Sequence, residues 1–102
     1  ISKAELAQMK ASAILINIAR GGVVDTDALL DALQIQKIAA AAIDVTEPEP
    51  LPRDHPLLKL ENLVLTPHLG SAAGATRLAM GKMTVDNLEA GLAGRELLQR
   101  AI

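Results

Sequence analysis

Two short apolar runs, Ala13–Ile18 (AILINI) and Ile38–Ile43 (IAAAAI), flank a single amphipathic pattern, and this spacing constrains the fold more than any other feature of the sequence. Asp25 stands where a helix N-cap is expected, Asp27 falls in the positive first turn, and Leu29, Leu30 and Leu33 mark a buried side ending near Leu33. Strand, helix and strand within about thirty residues is the βαβ pattern, whose strands run parallel. The first run is uninterrupted by charge and reads as a buried strand, broken by Arg20-Gly21-Gly22.

Upstream, Ser2 and Glu5 have the spacing of a capping box for a short helix ending near Lys10. Downstream, Pro48, Pro50, Pro52 and Pro56 exclude regular helix or central strand from Val45 to Leu60, where Leu57 and Leu58 form an apolar plug for a stiff loop. Leu63–Thr66 is a third short strand, stopped by Pro67, and a long helix is expected from about Ser71 to Leu92. That helix carries one apolar stripe at Leu78, Val85, Leu88 and Leu92 and another at Ala72, Ala79, Met83 and Ala90. Two stripes imply two partners: the sheet for one, a second domain or subunit for the other.

Composition excludes several functions. The net charge of −2 and the complete lack of Phe, Tyr and Trp leave neither a basic footprint nor stacking platforms for nucleic acid. Charges interrupt every apolar stretch before the ~18 residues that a membrane span requires, so no membrane partner is expected. Without cysteine there is no disulfide framework, which fits a reducing, cytoplasmic setting; an upstream targeting sequence is left open by the non-Met first residue.

Arg20, Glu49 and His68 each follow a predicted strand. In open parallel sheets ligands bind beyond the carboxyl ends of the strands, so the three can converge on one crevice. Arginine can clamp a carboxylate through two parallel hydrogen bonds. Histidine can donate a proton to a carbonyl oxygen, and an adjacent carboxylate favours the imidazolium that does so. Singly, each has a plainer reading: a surface arginine at a turn, a solvated acid in a proline-rich loop, an exposed or structural histidine. Asp44 reads equally as a site residue and as a cap of the turn after the second strand, and His55 as structural or exposed.

Together the motifs resemble those of the D-isomer-specific 2-hydroxyacid dehydrogenases, closest to their glyoxylate/hydroxypyruvate reductase branch. ILINIARGGVVDTDALLDAL (14–33) resembles that family's arginine segment, IAAAAIDVTEPEPLP (38–52) its Asp-Val plus glutamate segment, and LTPHLGSAAGATR (65–77) its Pro-His-hydrophobic-Gly segment. The order and the separations, 29 positions from Arg20 to Glu49 and 19 from Glu49 to His68, match as well and select Glu49 over Glu47.

The resemblance implies an α/β fold, the C-terminal half of a Rossmann-like NAD(P)-binding domain followed by a long helix, with residues 1–102 forming only part of that domain. It implies reduction of small 2-oxo acids to 2-hydroxy acids, such as glyoxylate and hydroxypyruvate, with NADP or NAD as cofactor. Arg20 would bind the substrate carboxylate and keto oxygen, His68 would donate the proton and Glu49 would hydrogen-bond His68. Asp44 would lie near the nicotinamide carboxamide, with main chain at Ile18 and Ala19 along the cofactor. Leu69, Gly70 and Ser71 would line the reacting end, Gly70 touching cofactor as well as substrate. A homodimer is expected of the full-length protein.

Ala73 departs from the Thr that members of the family often carry. No G-x-G-x-x-G turn for a pyrophosphate occurs among the glycines at 21, 22, 70, 74, 81, 91 and 94, so the polypeptide alone is expected to hold NAD(P)H weakly or not at all. A second reading, of a different class, follows from the same gap: a truncated, non-catalytic product acting as an interaction module through its last helix.

Overall fold

The computed structural model describes residues 1–99, which fall into two compact units, Ile1–Gly70 and a second beginning at Ser71. The first contains α1 (Lys3–Gln8), β1 (Ile14–Asn17), α2 (Thr26–Gln34), β2 (Ala40–Ile43) and β3 (Leu63–Leu65); the second contains α3 (Gly74–Leu92).

The three strands form one parallel sheet in the order β1-β2-β3, with Ile14 opposite Ala40 and Ala41 opposite Leu63. This is the α/β arrangement of a Rossmann-like half-domain. Alternation along the strands decides what is buried: Leu15, Ala41 and Ile43 face a core shared with Leu6 of α1 and with Ala28, Leu29, Ala32 and Leu33 of α2. Removing side chains such as Leu6, Leu29, Leu33 and Leu57 from water is worth about 1.5–3 kcal/mol each, and these are exposed by 2% or less.

Local sequence explains the helix starts. The Glu5 carboxylate accepts from the Ser2 N–H at 2.7 Å and the Ser2 hydroxyl at 3.0 Å, closing the expected capping box. Asp25 accepts from the Ala28 N–H at 3.0 Å, as an N-cap should.

Several expectations are corrected. β1 is not buried on both sides: Ile14, Ile16 and Ile18 are 61%, 69% and 72% exposed, because α1 and α2 contribute to a core on the other face. An apolar run shows that a strand can be buried on both faces, whereas the elements present decide which face is covered. The inner side of α2 is built by Ala28, Leu29, Ala32 and Leu33, and Leu30 is only half-buried. β2 begins at Ala40 and not at Ile38, since the Lys37 N–H still bonds to the Ala32 carbonyl at 2.8 Å as the chain leaves α2; Ile38 is nonetheless fully buried. The plug is Leu57 alone, with Leu58 45% exposed, and the His55 ring Nδ1 accepts from the Leu57 N–H at 3.2 Å.

In the second unit α3 starts at Gly74, later than expected: Ala73 is extended at the N-cap and offers no side-chain acceptor. Of the two predicted stripes, Leu78, Val85, Leu88 and Leu92 are exposed and only Ala90 of the other set is buried. No helix among the described residues is long and apolar enough to cross a membrane.

Candidate active site

The carboxyl ends of β1, β2 and β3 each release the chain into a turn shaped by a polar side chain. After β1 the buried Asn17 amide does this: its Oδ1 accepts from the Ala19 N–H at 3.1 Å and its Nδ2 donates to the Arg20 carbonyl at 3.0 Å. Ile18 and Ala19 are thereby held as an exposed corner, with the Ala19 amide and carbonyl both already engaged. Arg20 is exposed, and its Nη1 donates to the Ala19 carbonyl at 2.6 Å.

After β2 the buried Asp44 receives the next turn. Its carboxylate accepts from the Thr66 hydroxyl, from the Leu69 N–H at 2.8 Å and from the Gly70 N–H at 2.7 Å. These donors, the Thr66 hydroxyl first, hold the Asp44 carboxyl below the usual carboxylate range despite burial.

The loop after Asp44 is fixed from below. The Thr26 hydroxyl donates to the Glu47 carbonyl at 3.0 Å, and Gly21 lies so close beneath the loop that a Cβ there would stand 2.0 Å from the Thr46 carbonyl oxygen. Within the loop the Thr46 hydroxyl donates to the Pro48 carbonyl at 2.8 Å. Glu49 is thus presented to His68, and Glu49 Oε1 and His68 Nδ1 are 2.6 Å apart, with both side chains about two-fifths exposed. His68 lowers the Glu49 carboxyl below its ordinary range, and the charge of Arg20 adds to this. His68 itself has a left-handed backbone, φ 54°.

A cavity of about 310 Å³ opens beside the pair, lined by Asp44, Glu49, Leu65, Pro67 and His68 among others. It is at the small end of ligand sites and has the size for a ring or a small acid, not for a whole dinucleotide. Its polar lining consists of carboxylates, threonine hydroxyls and the His68 imidazole, and among the described residues no glycine-rich phosphate cradle accompanies it.

The structure therefore brings Asp44, Glu49, His68, Leu69 and Gly70 together, with Arg20 acting on Glu49 through its charge. Ser71 opens the second unit, where its carbonyl accepts from Arg77 Nε at 2.9 Å. Sequence reasoning overlooked Asn17, Thr66 and the tight fit of Gly21. A lone amide inside AILINI was the available signal for the first, since a buried polar group needs partners.

The family model for "D-isomer specific 2-hydroxyacid dehydrogenase, NAD binding domain" matches residues 1–70. The chain belongs to this family. It is 53% identical over 90 residues to the human glyoxylate reductase/hydroxypyruvate reductase, covering 88% of this chain and 27% of that protein. It is 56% identical over 95 residues to glyoxylate/hydroxypyruvate reductase B of Pectobacterium atrosepticum, covering 93% and 30%. The crystal structure of the NADPH-dependent glyoxylate/hydroxypyruvate reductase of Sinorhizobium meliloti in complex with NADP and malonate superposes with a TM-score of 0.84 at 39% identity, over all of this chain and 34% of that one. This member of the family thus spans less than a third of the length of the curated relatives quoted.

The depressed carboxyls give a signed pH prediction for the family's fold in this chain. A carboxyl whose folded value lies below its unfolded value, about 4, contributes stability that is fully present above that value and is lost as the pH falls through the folded value. Urea denaturation should therefore show stability declining on acidification below the ordinary carboxylate range, with buried Asp44 contributing more than the part-exposed, solvent-screened Glu49. A stability unchanged down to strongly acidic pH would contradict both assignments.

Proposed function

We propose that this chain carries the acid–base segment of an NAD(P)H-dependent reductase that converts small 2-oxo acids, glyoxylate and hydroxypyruvate, to 2-hydroxy acids. The observation that carries the proposal is the 2.6 Å contact of His68 Nδ1 with the Glu49 carboxylate at the mouth of a cavity. An ionised carboxylate can only accept, so Nδ1 donates to it and Nε2 is left to face a substrate. The reduced nicotinamide supplies the hydride when bound. His68 then delivers the Nε2 proton to the oxygen on which charge develops, and Glu49 holds the ring in orientation through Nδ1.

Arg20 binds the substrate carboxylate and keto oxygen; one of its five N–H groups is used by Ala19, which leaves a fork for bidentate contact. Asp44 lies near the nicotinamide carboxamide, Ile18, Ala19 and Gly70 along the cofactor, and Leu69, Gly70 and Ser71 beside the substrate. The three relatives, all glyoxylate/hydroxypyruvate reductases, support the substrate class, and the NADP-bound neighbour together with the NAD-binding family model supports a nicotinamide cofactor. Homodimerisation of the full-length protein and a cytoplasmic location belong to the same proposal.

The test is a chimera of the Pectobacterium reductase in which the aligned 95-residue segment is replaced by that of this chain. Oxidation of NADPH or NADH by glyoxylate or hydroxypyruvate is expected. A chimera that folds and binds cofactor but reduces neither acid would overturn the reading.

A further inference from the structure

One buried carboxylate gathers the whole turn that bears His68. Asp44 accepts from the Thr66 hydroxyl, the Leu69 N–H and the Gly70 N–H through its side chain, and from the His68 N–H through its own carbonyl at 2.8 Å. At the centre of this turn His68 has φ 54°, a region that a side chain with a Cβ adopts only where surrounding contacts hold it there. We infer that Asp44 is a positioning residue, which fixes the left-handed turn Thr66–Gly70 and thereby sets the His68 imidazole against Glu49. This is a role beyond proximity to a cofactor, since every contact is made by the chain with itself.

The chemistry favours a carboxylate over any substitute. Two oxygens with no hydrogens can serve three converging donors, and hydrogen bonds to an ionised acceptor are the stronger kind. An asparagine keeps one acceptor oxygen and points an NH2 at the remaining N–H, so one arm of the turn must let go. The released turn would relax toward negative φ and swing the ring away. As a contribution to catalysis this rests on His68 being the proton donor; as geometry it does not.

The experiment follows the glutamate carboxyl ¹³C signals of the cofactor-free chain against pH, in the parent and in Asp44→Asn. In the parent both Glu49, through His68, and Glu5, through the Ser2 capping box, titrate below the ordinary range. In Asp44→Asn, Glu49 should move up to the ordinary range while Glu5, remote in sequence and bonded only within its own cap, stays low and reports an intact fold. Glu49 unmoved beside an unmoved Glu5 overturns the inference.

If the variant unfolds, both signals relax, and amide exchange in the parent decides. The Leu69 and Gly70 amides should then exchange on the order of tenfold more slowly than in an unstructured peptide at the same pH, as bonds to a charged acceptor require, and lose that protection when acid protonates Asp44. Unprotected amides overturn it. Neither readout uses cofactor or substrate, so an inactive chimera would remove the proposed function and leave this result standing.

Discussion

Turnover in the chimera is expected to fall by about 10² to 10⁴ when His68 is replaced by alanine, the range that general acid catalysis contributes. Cofactor affinity should be unchanged, since the proton donor is needed only as charge develops on the substrate oxygen. Alanine alone leaves an ambiguity, because His68 has φ 54° and alanine also alters the preference of the backbone there. Asparagine tolerates the left-handed region better and carries no titratable proton. His68→Asn should therefore lose as much rate as His68→Ala. An asparagine variant with near-parental turnover would show that the turn matters and the imidazole does not, and would remove His68 from the role of proton donor.

Gly21→Ala should be the most disruptive single methyl group in the first unit. Its Cβ would stand 2.0 Å from the Thr46 carbonyl oxygen and 2.7 Å from the Glu47 nitrogen, both backbone atoms of the loop that carries Glu49. Neither can rotate away as a side-chain tip could, so the loop must lift, at a cost of about 1–3 kcal/mol or more for an overpacked contact. Lifting it separates Glu49 from His68 as well, and stability and acid–base pairing should fail together. The neighbouring glycine is the control: a Cβ at Gly22 would meet nothing nearer than Glu47 Oε2 at 3.9 Å, and Gly22→Ala should be tolerated. Urea denaturation and the Glu49 carboxyl titration check both variants. Equal stability of the two alanine variants would refute the close-packing account.

The two predictions draw on different levels of information. His68 and Glu49 were legible as a pair because a proline-rich loop and a strand end fixed their separation and a family resemblance joined them. Gly21 was visible only as half of a glycine pair that breaks a strand. Nothing local to Arg20-Gly21-Gly22 says that a loop 25 positions later will lie on one of the glycines and leave its neighbour free.

By itself the sequence determined the local elements: the capped starts of α1 and α2, the three short strands, the proline-rich loop, irregular up to a short 3-10 turn at Pro56–Lys59, and the order of the site motifs. These follow from interactions between residues close along the chain, where periodicity, caps and ring constraints act. Only the tertiary structure decided which face of β1 is covered, that Leu30 and Leu58 are less buried than their apolarity suggests, and that Asn17 and Asp44 spend their polar groups on turns. Burial and hydrogen-bond partnership are properties of what lies across from a residue, and the chain brings those neighbours from 25 or 26 positions away, as it does the Leu69 and Gly70 amides to Asp44.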